Sequence, residues 1–220
     1  QLKKVRDLTT AEIVGQVMGV CRQTGKKISG IAVMGIGEPL DNLGSVLEFI
    51  DIAMYQRGLD IGIKHITVST CGIVPGIYKL ADSEHPVNLA ISLHAPNDEL
   101  RRTLMPVSAR YPLAEIMEAA DHYSQKNNRR ITLEYVMLDG QNDSDECAAQ
   151  LAGLIGKRNC YVNLIRYNPT DGSRFRCSTH DRIMGFYDVL KKHDIGVTMR
   201  RELGASVNAA CGQLRREYEI

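Results

Sequence analysis

The sequence predicts an α/β fold in which strand–helix units repeat around a parallel sheet. Three observations carry that prediction. Short apolar, β-branched runs alternate along the chain with amphipathic stretches of roughly 10–15 residues. Turn residues such as Gly, Pro and Asn punctuate the joints between them. Polar residues gather at the carboxyl ends of several strands, where ligands sit in folds of this class.

With 220 residues, of which 44% are hydrophobic, 5% aromatic and none Trp, the chain has room for one α/β domain with a sizeable core. No apolar run approaches the roughly 18 residues of a membrane span, so no membrane partner is expected. No signal peptide or basic targeting segment is read at the start. The chain begins at Gln1 and runs straight into a helix pattern, so an amino-terminal truncation is expected.

Taken in order, the chain opens with a helix. Thr9 is an N-cap candidate and Glu12 stands three residues later, a capping-box spacing. Ile13, Val14, Val17, Met18 and Cys21 form the apolar stripe, and Gly25 ends it. The stretch 31–42, IAVMGIGEPLDN, is a buried strand running into a turn. Gly35 and Gly37 strip side chains from the strand's end, so backbone comes close to something there. Glu38 sets one carboxylate at that mouth, and Pro39 fixes the chain direction. A helix is predicted over 45–57, stopped by Gly58.

The alternation then repeats. Strands are predicted at 64–70, 87–95, 130–138 and 161–167, with a short apolar run at 195–199. Helices are predicted at 75–81, 113–126, 144–155 and 179–193. A longer connection carrying Arg101, Arg102 and Met105-Pro106 joins the 87–95 strand to the next helix. Five or six units of this kind suit a (β/α) barrel or an open part of one. No linker or low-complexity stretch divides the chain, which predicts one domain.

Strand alternation sorts the side chains onto two faces. In 87–95, Val87, Leu89, Ile91, Leu93 and Ala95 share the face that packs on helices. Asn88, Ala90, Ser92 and His94 share the other, which grows polar toward its carboxyl end. Thr67 and Ser69 oppose Ile66 and Val68; Thr132 and Glu134 oppose Ile131, Leu133 and Tyr135. The 161–167 strand leads to Asn168, before Pro169. An interior offering Ser69, Ser92, His94, Glu134 and Asn168 suits a polar, hydrogen-bonding ligand with a ribose and an amino-acid end.

Charge and cysteine content narrow the partners. Residues 157–201 hold ten Lys and Arg against four Asp, a local +6 in a chain of net +1. A basic carboxyl third suits a polyanion. The six cysteines, at 21, 71, 147, 160, 177 and 211, include no Cys-x2-Cys pair or zinc spacing. They predict a reducing, cytoplasmic setting.

The motifs together resemble the RlmN/Cfr family of radical S-adenosylmethionine enzymes, which methylate adenine in RNA. The matching stretches are Met34-Gly-Ile-Gly-Glu-Pro-Leu-Asp-Asn42, Ile66-Thr-Val-Ser-Thr70, Pro75-Gly-Ile77, Asn88-Leu-Ala-Ile-Ser-Leu-His-Ala-Pro-Asn97, Leu104-Met-Pro106, 135–143, 163–169 and Asn208-Ala-Ala-Cys-Gly-Gln-Leu214. They cover nearly the whole chain in order, and Ala95-Pro96-Asn97 and the tail favour the RlmN side. The resemblance implies a partial (β/α) TIM-like barrel of the radical SAM type, lacking its first strand and cluster loop. Residues 1–220 would be that core, from its first helix to a methyl-carrier tail, with the family's accessory amino-terminal domain absent.

The resemblance also implies roles. Gly37 and Glu38 would hold the methionyl amino group of S-adenosylmethionine. Ser69, Ser92, Leu93, His94 and Asn168 would line the rest of the cofactor site. Cys211 would accept a methyl group and carry it to the base. Adenine C2 is electron-poor, so direct transfer from the sulfonium is unfavourable, whereas a cysteine thiolate is a good methyl acceptor. In the family, a second S-adenosylmethionine, cleaved at a [4Fe–4S] cluster, then generates the radical that activates the carried methyl. The cluster's Cys-x3-Cys-x2-Cys motif lies upstream of the matching segment and is absent from these 220 residues. The polypeptide as it stands is therefore expected not to assemble the cluster or turn over.

The implied activity is dual-specificity methylation of adenine C2 in 23S rRNA and tRNA, by a cytoplasmic monomer with an electron donor such as flavodoxin. Arg166, Arg174, Arg176, Arg200, Arg201, Arg215 and Arg216 would meet RNA phosphates. Alternatives are a Cfr-like adenine-C8 rRNA methyltransferase and a cluster-less, non-catalytic RNA-binding remnant. A third is a metal-independent barrel lyase or isomerase with Glu134 or His94 as general base.

Overall fold

The computed structural model describes residues 5–34, 37–169 and 173–200. Among these residues six strands form one sheet: β1 (Ile31–Val33), β2 (Ile66–Thr70), β3 (Asn88–Ser92), β4 (Ile131–Met137), β5 (Cys160–Arg166) and β6 (Gly196–Met199). Each neighbouring pair is parallel, and spatial order follows chain order. An order that never reverses carries every crossover the same way round, and right-handed crossovers then leave the helices on one face. That is the arrangement of a partial (β/α) barrel, as predicted, rather than of a doubly wound sheet.

The helices among the described residues are α1 (Thr10–Thr24), α2 (Leu43–Met54), α3 (Val74–Asp82), α4 (Asp98–Leu104), α5 (Leu113–Asn127), α6 (Asp145–Ile155) and α7 (His180–Lys192). Their ends follow local chemistry. Glu12 N–H donates to Thr9 Oγ1 (3.3 Å) and Thr9 N–H returns the bond to Glu12 Oε2 (2.9 Å), closing the capping box. Gly25, at φ 65°, adopts the left-handed conformation that stops α1. Ser144 and Thr179, the first residues of two predicted helices, are the N-caps of α6 and α7.

The sheet's helix-side face is its apolar face. Ile66, Val68, Leu89, Ile91, Leu133, Tyr135, Val162 and Leu164 are fully buried there. Each such side chain contributes about 1.5–3 kcal/mol of transfer free energy. The other face carries Thr67, Ser69, Asn88, Ser92 and Asn163, all half-buried. Glu134, on that same face, is buried. No helix among the described residues is long and apolar enough to cross a membrane.

The structure corrects the expected elements in four places. The connection after β3 contains α4 and a 3-10 turn, Pro106–Ala109. A seven-residue helix is too short for an apolar period to reveal it. Its start is instead made by Asn97, whose side chain accepts from Leu100 N–H at 2.9 Å. The helix predicted over 45–57 begins at Leu43 and stops at Met54, because Tyr55 turns extended; Gly58 N–H bonds the Tyr55 carbonyl (2.8 Å) in the turn beyond. β3 ends at Ser92, so Leu93 and His94 leave the ladder. β5 ends at Arg166, so Asn168 lies two residues past it.

Candidate functional site

The site is built at the carboxyl ends of β1 to β5. Gly37 (φ 100°) follows β1 in the left-handed region, and among the described residues nothing lies within 4 Å of where its side chain would begin. Glu38 caps the 3-10 turn Pro39–Asn42: its Oε1 accepts from Leu40 N–H (3.0 Å). Its Oε2 accepts from Cys71 N–H (2.7 Å), just past β2. Each carboxylate oxygen keeps a lone pair, so Glu38 is oriented by backbone and still able to accept from a ligand. Burial, then the Glu38 carboxylate, pushes the Cys71 thiol up to about 12, so Cys71 stays protonated.

The next wall is Ser92-Leu93-His94. Leu93 and His94 N–H both point to the Glu134 carbonyl (3.0 and 3.3 Å). Leu93's side chain is fully buried, so only its backbone can face a ligand. His94 has φ 59°, rare for a side-chain-bearing residue, and its direction is therefore not the continuation of the Asn88, Ala90, Ser92 alternation that the sequence predicts. Two contacts hold it there. Val136 N–H donates to His94 Nδ1 (3.2 Å), and Asn142 Nδ2 donates to the His94 carbonyl (2.8 Å).

That geometry sets the chemistry of His94. Nδ1 is an acceptor, so the neutral ring carries its proton on Nε2. Burial, and then the Arg101 charge, pushes the ring's pKa down to about 4. A ring whose Nδ1 is occupied and which stays neutral is a hydrogen-bond donor, which weakens its reading as a general base.

The inward face continues across the sheet. Ser92 pairs in register with Glu134, Glu134 with Asn163 and Asn163 with Thr198. Asn163 Nδ2 donates to Glu134 Oε2 (2.9 Å), and Thr198 Oγ1 donates to Asn163 Oδ1 (3.2 Å). Burial raises the Glu134 carboxyl above its ordinary value, against the opposing pull of Asn163's hydrogen bond and Arg200's charge. Ser69 lies one row lower, in register with Ala90.

Glu38, Ser69, Ser92, Leu93 and His94 are thus gathered at neighbouring strand ends, and Asn168 lies beyond the end of β5. Cys211, Arg201, Arg215 and Arg216 lie outside the described residues. Two structural contributors were passed over in the sequence. Asn142, fully buried, donates to the His94 and Val136 carbonyls (2.8 and 2.7 Å) and accepts from Leu138 N–H (2.8 Å). Its signal was the turn-like Asp139-Gly140-Gln141-Asn142-Asp143 after a strand. Arg101 is fully buried; nothing in its sequence neighbourhood distinguishes it from a solvated arginine.

The residues fit S-adenosylmethionine. A fixed carboxylate suits its ammonium, a glycine leaves room beside it, and two serines and an Nε2–H donor suit its ribose and base. They do not fit an iron–sulfur cluster. Among the described residues no three His, Cys, Asp or Glu gather for a metal ion. No step through a cluster is therefore assigned to this chain's own residues.

Comparison with known proteins gives three findings. The profile of the Radical SAM superfamily matches residues 1–152. A protein of Caldicellulosiruptor saccharolyticus named "Probable dual-specificity RNA methyltransferase RlmN" is 49% identical over 217 residues, covering 98% of this chain and 63% of that protein. A protein of the same name from Caldanaerobacter subterraneus subsp. tengcongensis is 52% identical over 215 residues, with 98% and 63% covered. The chain thus spans a little under two thirds of the length of these relatives. Among solved structures, a radical SAM methyltransferase from Sphaerobacter thermophilus superposes with a TM-score of 0.91 at 42% identity, over 95% of this chain and 62% of that one. A domain of a pyruvate-formate lyase-activating enzyme from Bacteroides vulgatus matches with a TM-score of 0.59 at 15% identity, over 79% of this chain and all of that one, a likeness of fold alone.

Proposed function

The chain belongs to the Radical SAM superfamily, and from that premise we propose that it forms most of the catalytic domain of an RNA methyltransferase acting on adenine C2 in 23S rRNA and tRNA. The observation that carries the reading is the Glu38 carboxylate, held by Cys71 N–H at the carboxyl end of β2, next to the strand that leads into Ser92-Leu93-His94. The relatives named as dual-specificity RNA methyltransferases support the substrate class.

Each residue then has a task. Gly37 leaves room for the methionyl end of S-adenosylmethionine and Glu38 accepts from its ammonium. Ser69 and Ser92 bond its polar groups, the Leu93 backbone lines the groove, His94 donates from Nε2, and Asn168 closes the site beyond β5. S-adenosylmethionine would supply an electrophilic methyl, and a second molecule of it, cleaved reductively, would supply the radical that activates the carried methyl. Cys211 is the thiol that takes the methyl and presents it to the base. The base must be unstacked to reach it. The basic carboxyl third, Arg166, Arg174, Arg176 and Arg200 among it, holds phosphates. The [4Fe–4S] cluster takes its ligands from outside these residues. The protein works as a cytoplasmic monomer with an electron donor such as flavodoxin, and residues 1–220 act as one domain.

The test is nucleoside mass spectrometry on RNA treated with the intact gene product under anaerobic, reducing conditions. The expected outcome is 2-methyladenosine in 23S rRNA and tRNA, abolished by Cys211→Ala. 8-Methyladenosine in its place, or no methylated adenosine, overturns the proposal.

A further inference from the structure

Arg101 is buried to 0% exposure, yet its three hydrogen bonds all go to backbone carbonyls. Nε donates to Leu93 O (3.1 Å), and Nη2 donates to Cys71 O (2.7 Å) and Ser92 O (3.2 Å). The third nitrogen, Nη1, is buried with no hydrogen-bond partner among the described residues. A desolvated guanidinium without a bonded carboxylate is costly, because it leaves water for neutral acceptors. Its burial depresses the tendency to hold the charge, so the arrangement is maintained against its own electrostatics.

The place it occupies explains what it does. β2 and β3 are paired up to Thr70 and Ile91, and no ladder pairing continues beyond. The carbonyls of Cys71, Ser92 and Leu93 would diverge there without partners. Arg101 reaches all three with one rigid fork and replaces the missing rung. Cys71 is the same residue whose N–H holds Glu38 Oε2. Cys71 therefore links Glu38, through its N–H, to Arg101, through its carbonyl. Arg101 is delivered by α4, which Asn97 caps at its start and Asp98 ties to α5 by accepting from Leu113 N–H (2.8 Å).

We infer that Arg101 is a positioning residue of the cofactor site, coupling the Glu38 carboxylate, through Cys71, to the Ser92-Leu93-His94 wall by bonding the backbone carbonyls of Cys71, Ser92 and Leu93. It sets the spacing between the group that takes the amino-acid end of the ligand and the wall that takes its nucleoside. This rests on the reading of the groove as an S-adenosylmethionine site. Lysine has its three donors on one nitrogen and no planar fork, so it cannot reproduce bonds that Arg101 makes from two separate nitrogens, Nε and Nη2.

The experiment measures binding of S-adenosylhomocysteine to the intact gene product by titration calorimetry, with steady-state turnover beside it. Arg101→Lys and Arg101→Met are compared with wild type and with Glu38→Gln. The expected result is a Kd raised at least tenfold in both Arg101 variants, with thermal midpoint and far-ultraviolet spectrum kept in Arg101→Lys. KM for S-adenosylmethionine rises correspondingly, while kcat at saturation stays within about twofold. A folded Arg101→Lys with wild-type Kd and KM overturns the inference. Wild-type protein that fails to bind S-adenosylhomocysteine, or binding indifferent to Glu38→Gln, overturns the reading of the groove and the inference with it. If neither Arg101 variant folds, hydrogen exchange on wild type decides. Ligand binding is expected to slow exchange at 70–73, 92–95 and 98–104 together. Protection at 92–95 without protection at 98–104 overturns the inference.

Discussion

Asn142 donates its side-chain amide to the carbonyl of His94, 48 residues earlier in the chain, at 2.8 Å. The same amide nitrogen bonds the Val136 carbonyl, and Val136 N–H in turn bonds the His94 ring. One buried asparagine therefore holds a histidine in a left-handed backbone conformation and leaves its ring facing one way. Tyr135 completes the arrangement by donating its hydroxyl to the Asn142 carbonyl (2.7 Å).

Asn142→Ala leaves the carbonyls of His94 and Val136 and the N–H of Leu138 without that partner in a buried setting. The expected cost is about 2–4 kcal/mol of unfolding free energy. Urea denaturation followed by far-ultraviolet circular dichroism measures it; a change below about 0.5 kcal/mol would mean that the three groups find other partners.

Gly76 and Gly153 are expected to respond oppositely to alanine. At Gly76, on α3, the added Cβ would stand 2.6 Å from Leu40 Cβ, in the turn that follows Glu38. Overpacking there costs about 1–3 kcal/mol and displaces the carboxylate's turn. At Gly153, on α6, nothing among the described residues lies within 4 Å of the added Cβ, and helix propensity favours alanine by about 0.5–1 kcal/mol. Thermal melting of the two variants beside wild type checks both signs.

His94 gives stability a pH dependence of known sign. Its pKa is pushed down to about 4 in the folded protein by burial and the Arg101 charge, against about 6.5 for an unperturbed histidine. The unfolded chain therefore binds more protons between those values. The contribution is fully present above about pH 6.5 and is lost as pH falls toward about 4, by at most about 1.4 kcal/mol per pH unit. His94→Gln, which does not titrate, is expected to flatten that slope. Unfolding free energies at a series of pH values test it, and an unchanged slope contradicts the assignment.

Glu134 works with the opposite sign. Burial raises its carboxyl in the folded state, so its contribution is present below the unfolded pKa and is lost as pH rises through the folded one. Glu134→Gln keeps an acceptor for Asn163 without a charge to desolvate. The variant is expected to gain on wild type as pH is raised from about 5 to 8. Denaturation midpoints across that range check it; a widening deficit at high pH would mean that the ionised carboxylate is the stabilising form.

Periodicity and punctuation were legible because each is a local rule. A capping box at Thr9, a left-handed Gly25, and alternation along Ile66–Thr70 and Ile131–Met137 needed no partner from elsewhere. The Gly37-Glu38-Pro39 turn was legible for the same reason, since an apolar run ending in glycine and a carboxylate describes a strand's mouth by itself. α4 was illegible, being too short to display a period.

By itself, then, the sequence determined the order of strands and helices, the polar inward face of the sheet, and the residue types at its carboxyl ends. Those follow from covalent geometry and from side-chain alternation, which act between neighbours. Only the tertiary structure decided that Arg101 is buried against the ends of β2 and β3, that His94 turns out of the strand, and that Glu38 is aimed by Cys71. Each depends on hydrogen bonds between segments far apart in the chain: 33 residues for Glu38 and Cys71, 30 for Arg101 and Cys71, 48 for Asn142 and His94. A buried polar group must find its partner wherever the fold brings one, and no local pattern records which it will be.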